Sequence, residues 1–228
     1  MEFCQLNKND IRVEDLVIGS VLGDGCISQN GRIQVWHSSV QKDYTLWLMD
    51  LFSKHFKVSY QERICKNKYN NKEFSQVGFY VSPTNYTKLI RMIMYTPYKT
   101  ITIKQLNKLS PLGLAIWYMD DGCLSFIKKD GVIKGRQLIL NTQSFSYDEQ
   151  LLICEYFKKY NIECHIHKDK DKYRIWMNGA NASIFLSIIA NYIPECMYYK
   201  LCYRYHGYKS KLNLCNHQCN NNCPYNIV

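Results

Sequence analysis

From Leu112 to Met119 the chain is apolar on every side, and then Asp120, Asp121 and Gly122 follow in succession. Ser110 and Pro111 supply a helix N-cap and a proline suited to the first helical position. Gly122 then ends the helix. Carboxylates in a last turn oppose the helix dipole, so something at that end should want negative charge. The pattern occurs once more, from Leu16 to Gly25, where Asp24 precedes the glycine. Two copies of so unusual a helix constrain the fold strongly, because each must bury all of its faces and still present an acid at its end.

The segments after each copy follow one order. In the first half, Glu14 and Asp15 favour a helix start. Strands are expected near 26–28 and 32–38 around the Gln29-Asn30-Gly31 turn, followed by a helix over 42–56. Strands near 58–64 and 74–81 come next, and Ser82-Pro83 opens another helix. In the second half, strands over 123–127 and 137–143 are expected to flank a basic loop, 128–136. Ser146 to Glu149 forms a capping box, strands near 163–167 and 173–177 follow, and an apolar helix covers 180–192. Each half therefore reads as helix, two strands, helix, two strands, helix: one unit used twice. The repeats are placed at 1–108 and 109–207, with a Cys- and Asn-rich tail at 208–228.

Lysine and arginine number 29 against 19 acids, a formal charge of +10. That balance favours a polyanionic partner, nucleic acid first and an anionic membrane surface second. No apolar run approaches a bilayer span and no signal-peptide core precedes Asp10, so an intracellular protein is expected, with its 11 cysteines mostly reduced.

The glycines and small residues Gly19, Ser20, Gly23, Gly113 and Ala115 would let the two motif helices approach closely, bringing both acids to the same end. Carboxylates a few ångström apart repel, and a divalent cation removes that penalty. Mg²⁺ binds through one or two carboxylates together with substrate phosphates, which in a basic protein points to phosphodiester hydrolysis. A capping or turn role for each Asp-Gly is preferred for one copy alone; two matched copies favour the metal site. Lys99 and Lys200 each follow the last helix of a half. Spacing leaves them divided evenly between positioning water or phosphate charge and being solvated surface lysines.

Basic and amide residues gather on the strands and their turns: Gln34, Arg63, Lys66, Lys68, Lys72 and Gln76 in one half, Lys134, Arg136, Lys168, Lys170, Lys172 and Arg174 in the other. A two-stranded ribbon fits the major groove, where Arg and Lys read guanine and Gln or Asn reads adenine. His165 and His167 share one strand face, a wet surface or phosphate contact before a metal site. Cys215, His217, Cys219 and Cys223 could form a zinc knot, but their spacing matches no standard finger and free thiols are the favoured reading.

Residues 17–25 and 114–122 resemble the nine-residue signature of the LAGLIDADG homing endonucleases, and two copies in one chain resemble the family's monomeric, pseudo-symmetric branch. Ser20 and Leu22 depart from the usual motif; the Asp24-Gly25 pair does not. The resemblance implies an α+β fold of two αββαββα halves packed through the motif helices, with saddle-shaped antiparallel sheets straddling DNA. It implies Asp24 and Asp121 as metal ligands, carbonyls from Gly23 and Asp120, Lys99 and Lys200 as active-site lysines, and Gln143 near the attacking water with Ser38 as its shorter repeat partner. It further implies Mg²⁺, with Mn²⁺ able to replace it, a monomer on a long, nearly asymmetric double-stranded DNA target, and 3′ overhangs. The host compartment would be organellar, bacterial or phage-infected. An RNA maturase bound to intron RNA is the rival on the same fold; retention of both acids speaks against it and against a non-catalytic DNA-binding regulator. The shorter Ser38 implies unequal cutting of the two strands.

Overall fold

A computed structural model describes residues 11–130 and 132–201 of the chain. The tail cluster Cys215, His217, Cys219 and Cys223, like the whole 208–228 segment, lies outside the described residues. The elements are α1 (Val13–Leu22), β1 (Cys26–Ile27), β2 (Ile33–Ser38), α2 (Lys42–Ser53), β3 (Val58–Lys66), β4 (Glu73–Val81), α3 (Asn85–Met94), α4 (Ile103–Leu106), α5 (Pro111–Asp121), β5 (Gly122–Lys129), β6 (Val132–Leu140), α6 (Tyr147–Lys158), β7 (His165–Asp169), β8 (Lys172–Asn178) and α7 (Gly179–Ile189). The fold is α+β, with two four-stranded antiparallel sheets ordered β1-β2-β4-β3 and β5-β6-β8-β7. The repeated order expected from the sequence is present. Among the described residues no helix is long and apolar enough to cross a membrane.

The chain divides into two compact units between Asp120 and Asp121. That boundary lies one helix downstream of the repeat boundary at 108/109, because α5 packs on α1 within the first unit. The contact is backbone on backbone. A Cβ added at Gly19 would sit 2.7 Å from the carbonyl oxygen of Gly113, and one at Gly113 would sit 2.6 Å from Asp15 Oδ1. Leu112 to Met119 are all buried, as are Leu16 to Leu22, which explains why neither helix carries a polar face. Asp15, fully buried in the first turn of α1, accepts hydrogen bonds from the Ser110 amide and hydroxyl, both at 2.7 Å. It thereby satisfies a donor at the start of the neighbouring helix.

In the first unit, α2 covers one face of its sheet, over inward-facing Ile33, Val35, Val77, Phe79 and Val81. In the second, α6 and α7 cover Leu138, Leu140, Ile175 and Met177. Strand alternation leaves the opposite face of each sheet uncovered by these helices.

Several boundaries differ from the sequence reading. The expected basic loop at 128–136 is instead most of a hairpin. Asp130 takes a left-handed φ of 52° beside Gly131, the turn chemistry that lets β5 and β6 continue to their tip. β6 ends at Leu140 rather than 143, because Asn141 turns back to donate to the Asp121 carbonyl. α2 stops at Ser53 rather than 56, α3 starts after a Thr84 cap rather than at Pro83, and β7 starts at His165 rather than 163. The capping box at Ser146 and Glu149 is present.

Gly19→Ala should destabilise the fold by about 1–3 kcal/mol in urea titration, although alanine ordinarily improves a helix by ~1 kcal/mol. Gly135→Ala is the control, since a Cβ there meets nothing within 4 Å. Burial holds the Asp15 carboxyl above its ordinary value of 3.8, against the opposing pull of the Ser110 hydrogen bonds. The folded state therefore keeps this proton to higher pH than the unfolded chain does. Stability contributed by Asp15 is present below the ordinary carboxylate range and is lost as pH rises through its raised value. Urea midpoints across that range should show Asp15→Asn gaining on the wild type as pH rises; a constant difference would contradict the linkage.

Candidate metal centre and uncovered sheet faces

The end of α1 and the end of α5 meet in the first unit at Gly23 and Asp120. A Cβ on Gly23 would lie 2.4 Å from Asp120 Oδ2, so only glycine leaves room for that carboxylate. The Asp120 side chain is fully buried, receiving the Asp24 amide at 3.1 Å on Oδ2 and the Tyr44 hydroxyl at 2.8 Å on Oδ1. The sequence reading gave Asp120 a backbone role; its side chain also belongs to the site. The Asp24 carboxylate, by contrast, is 47 % exposed. His37, at an inward position on β2, points Nε2 towards both acids, 3.4 Å from Asp120 Oδ1 and 3.9 Å from Asp24 Oδ2. One ligand atom from each of these three residues lies within 4.8 Å of the others. Two carboxylates and an imidazole nitrogen converging at a partly open point form a donor set that fits a divalent cation.

Lys99 arrives beside this cluster. Its chain is shaped by a bridge between Tyr95 and Lys99 and by the Thr100 amide donating to Met94. The Tyr95 hydroxyl accepts from the Ile27 amide at 3.2 Å, and burial pushes that phenol above its ordinary pKa. The Lys99 ammonium donates to the carbonyls of Val21, Leu22 and Gly23 at 3.0, 3.4 and 3.4 Å. It satisfies acceptors that a helix C-terminus leaves over and places a cation against the negative end of the dipole. Gly23 O, expected as a metal ligand, is thus also a lysine acceptor.

The second unit carries the matching lysine. Lys200 donates to the Gly122 carbonyl at 2.7 Å, directly after Asp121. Asn141 fixes the Asp121 carbonyl from the other side, through its amide and its Nδ2, both at 2.9 Å. Gln143 is not on a strand; its Nε2 donates to Asp169 Oδ2 at 2.8 Å. Ser38 is the last residue of β2, paired with Gln76.

The uncovered sheet faces sort the remaining candidates. In the first unit, Gln34, Trp36 and Ser38 align with Tyr80, Gly78 and Gln76, and these with Ser59, Gln61 and Arg63. Arg63 donates twice to Gln76 Oε1, at 3.0 and 2.8 Å, and lies 3.7 Å over the Trp36 ring. Lys66 leaves this cluster: it faces the opposite way at the hairpin end, 3.4 Å from Glu73, and Lys68 and Lys72 are exposed in the adjoining turn. In the second unit, Trp176 Nε1 donates to Gln137 at 2.7 Å, with His167 stacked on its ring at 4.8 Å. Arg174 lies 3.8 Å from Asp169 on that face. Lys172 pairs with Asp169, Lys168 points to the other face, and Lys170 occupies a left-handed turn position. Arg136 turns towards the helices and donates to Ser183 Oγ on α7. Lys134 is passed over by a register shift between β5 and β6 and has no cross-strand partner residue.

His37, Tyr44, Trp36, Trp176 and Asp169 are the site residues that sequence reasoning missed. A signal existed for His37, a histidine at a core parity between Val35 and the helix that begins at Lys42. Asp169 had none, being one of two acids that alternate with lysines at 168–172.

The chain matches the model of the LAGLIDADG DNA endonuclease family over residues 15–185. It is 27 % identical over 210 residues to Protein RecA of Mycobacterium gastri, covering 85 % of this chain and 48 % of that one, so it spans about half the length of that relative. It is 26 % identical over 207 residues to probable intron-encoded endonuclease 1 of Wickerhamomyces canadensis, covering 83 % and 84 % of the two chains. The fold is similar to that of the homing endonuclease I-WcaI, solved bound to its DNA recognition sequence, with a TM-score of 0.73 at 22 % identity over 83 % of this chain and 85 % of that one. With matched acid-ended helices, two sheets of one topology and a family match across both units, the chain belongs to the LAGLIDADG DNA endonuclease family.

Proposed function

We propose that the protein is a site-specific homing endonuclease that makes a double-strand break in DNA by metal-dependent hydrolysis. The observation that carries this reading is the duplicated acid and lysine: Asp24 with Lys99 on the carbonyls ending α1, and Asp121 followed by Gly122, whose carbonyl holds Lys200. A double-strand break needs two phosphodiester hydrolyses, and two such sets supply one acid and one ammonium for each. Asp24 and Asp121, with carbonyls of Gly23 and Asp120, are the residues that would hold Mg²⁺, with Mn²⁺ able to replace it. When bound, the ion supplies Lewis-acid polarisation of phosphate and a more acidic water.

The remaining work falls to side chains. Lys99 and Lys200, oriented by carbonyls, place positive charge where the phosphate gains negative charge as water attacks and one P–O bond breaks. Gln143, held by Asp169, presents its amide beside the second set. Arg63 on Trp36 and Gln76, and Gln137 with Trp176, offer amide and cationic groups on rigid aromatic supports, suited to base edges in the major groove. Lys68, Lys72, Lys134, Lys168, Lys170 and Lys172 contact phosphates and add salt-dependent affinity without sequence information. The two faces place these groups on different strands, Trp36 on β2 and Gln76 on β4 against Gln137 on β6 and Trp176 on β8, which suits a long, nearly asymmetric duplex read by a monomer.

The test uses the intron-free junction of the host gene as duplex substrate. Wild-type protein with Mg²⁺ should cut both strands. Asp24→Asn and Asp121→Asn should each lower cleavage by at least about 10²-fold, the scale on which single catalytic groups act. Both should retain DNA affinity, with a steep loss of binding as salt is raised. An Asp121→Asn protein that cuts as fast as wild type would refute the assignment. Tight binding of intron RNA with no DNA cleavage would favour the maturase reading.

A further inference from the structure

His37 is 3 % exposed and sits between two carboxylates without a hydrogen bond on Nε2. The other ring nitrogen faces Thr45. Nδ1 lies 2.9 Å from Thr45 Oγ1, and the Thr45 hydroxyl spends its one proton on the Gln41 carbonyl, 3.1 Å away. That arrangement lets Thr45 accept from Nδ1–H, the tautomer that aims the Nε2 lone pair at Asp24 and Asp120. A lone pair facing two carboxylates in a buried site is repulsive unless a positive species lies among them. A proton on Nε2 would form a poor bond, since 3.4 and 3.9 Å exceed the ~2.7–3.2 Å of N–H···O hydrogen bonds. A metal ion fits both His37 separations better: ligands about 2.0–2.2 Å from one centre stand up to ~4.4 Å apart.

We propose that His37 Nε2, together with the carboxylates of Asp24 and Asp120, directly ligates a divalent first-row transition cation in the first unit. The surrounding bonds are those a metal-bound histidine requires. Thr45 holds Nδ1, the Tyr44 ring packs against the imidazole at a 41° tilt with centroids 4.9 Å apart, and the Tyr44 hydroxyl and Asp24 amide orient the Asp120 carboxylate while leaving a lone pair on each oxygen. The exposed side of Asp24 is the entry path. An imidazole ligand adds affinity for Mn²⁺ and the later divalent ions, which accept nitrogen, at a site whose carboxylates also suit Mg²⁺. This inference stands without the nuclease reading, although Asp24 enters both.

The experiment adds one equivalent of Mn²⁺ to the full chain without DNA and records pulsed EPR. Mn²⁺ is the probe because it binds thiolates poorly, which keeps the cysteines of the chain out of the measurement. The expected result is a bound ion coupled to the ¹⁴N of a coordinated imidazole. That coupling should vanish in His37→Gln, with a fall in Mn²⁺ affinity of about 10–100-fold. Asp24→Asn, at an exposed position that does not threaten folding, should lower affinity on the same scale. Thr45→Val, which frees the tautomer, should weaken Mn²⁺ binding by more than it weakens Mg²⁺ binding. Absence of bound Mn²⁺ in folded wild type, bound Mn²⁺ without ¹⁴N coupling, or coupling that survives in His37→Gln would each overturn the proposal. Mg²⁺-dependent DNA cleavage with no ¹⁴N coupling would overturn this inference alone. Coupling with no cleavage of any duplex would support it and sink the nuclease reading instead.

Discussion

The contact of Gly19 with Gly113 governs the geometry of the candidate site. A helix pair that touches through backbone has no side chain in the seam to absorb a shift, so its spacing is set by hard atoms. Asp15 pins one end of this pair by capping Ser110, and Asp120 packed on Gly23 pins the other. Between those points the helices are apolar but for the buried Ser20. Asp24, 47 % exposed, is therefore where the seam opens to water, beside the buried Asp120 carboxylate, and charge there is oriented by a rigid support.

Around that seam the first unit adds a second layer of control. Tyr44 and Thr45 come from the same turn of α2, and each holds one member of the cluster: Tyr44 the Asp120 carboxylate, Thr45 the His37 ring. β2 contributes His37 on its inner face and Trp36 on its outer face, one residue apart. The strand thus links the acid cluster to the Arg63, Trp36 and Gln76 group on the uncovered face. A change in how Arg63 sits on a ligand is separated from the metal-binding ring by one peptide unit.

Much of this was legible in the sequence where a local rule carried it. The acid-ended apolar helix, its repeat, the Ser110-Pro111 start and the Ser146 box all rest on short-range chemistry, and all are present. The close-packing role of Gly19 and Gly113 followed from their size alone. The 128–136 hairpin was hidden because its lysines read as solvated loop, and only the Asp130-Gly131 pair in the sequence marked it. Arg136 shows the limit of charge counting: strand parity turns it to α7, where Ser183 Oγ accepts its hydrogen bond. Asp169 could not be found at all, because holding Gln143 and facing Arg174 depends on the β7–β8 register rather than on spacing. His37 stood in plain view, yet its meaning comes from Thr45 eight residues on, which fixes the free nitrogen.

The central claim is that two acid and lysine sets on a rigid framework cut DNA at a specified sequence. The most direct measurement exposes a library of randomised duplexes to the full chain in Mg²⁺ and sequences the new ends. The account predicts paired ends on both strands within one long, nearly asymmetric consensus, and none when the ion is chelated. Ends scattered without a consensus, or ends that persist in chelator, would contradict it.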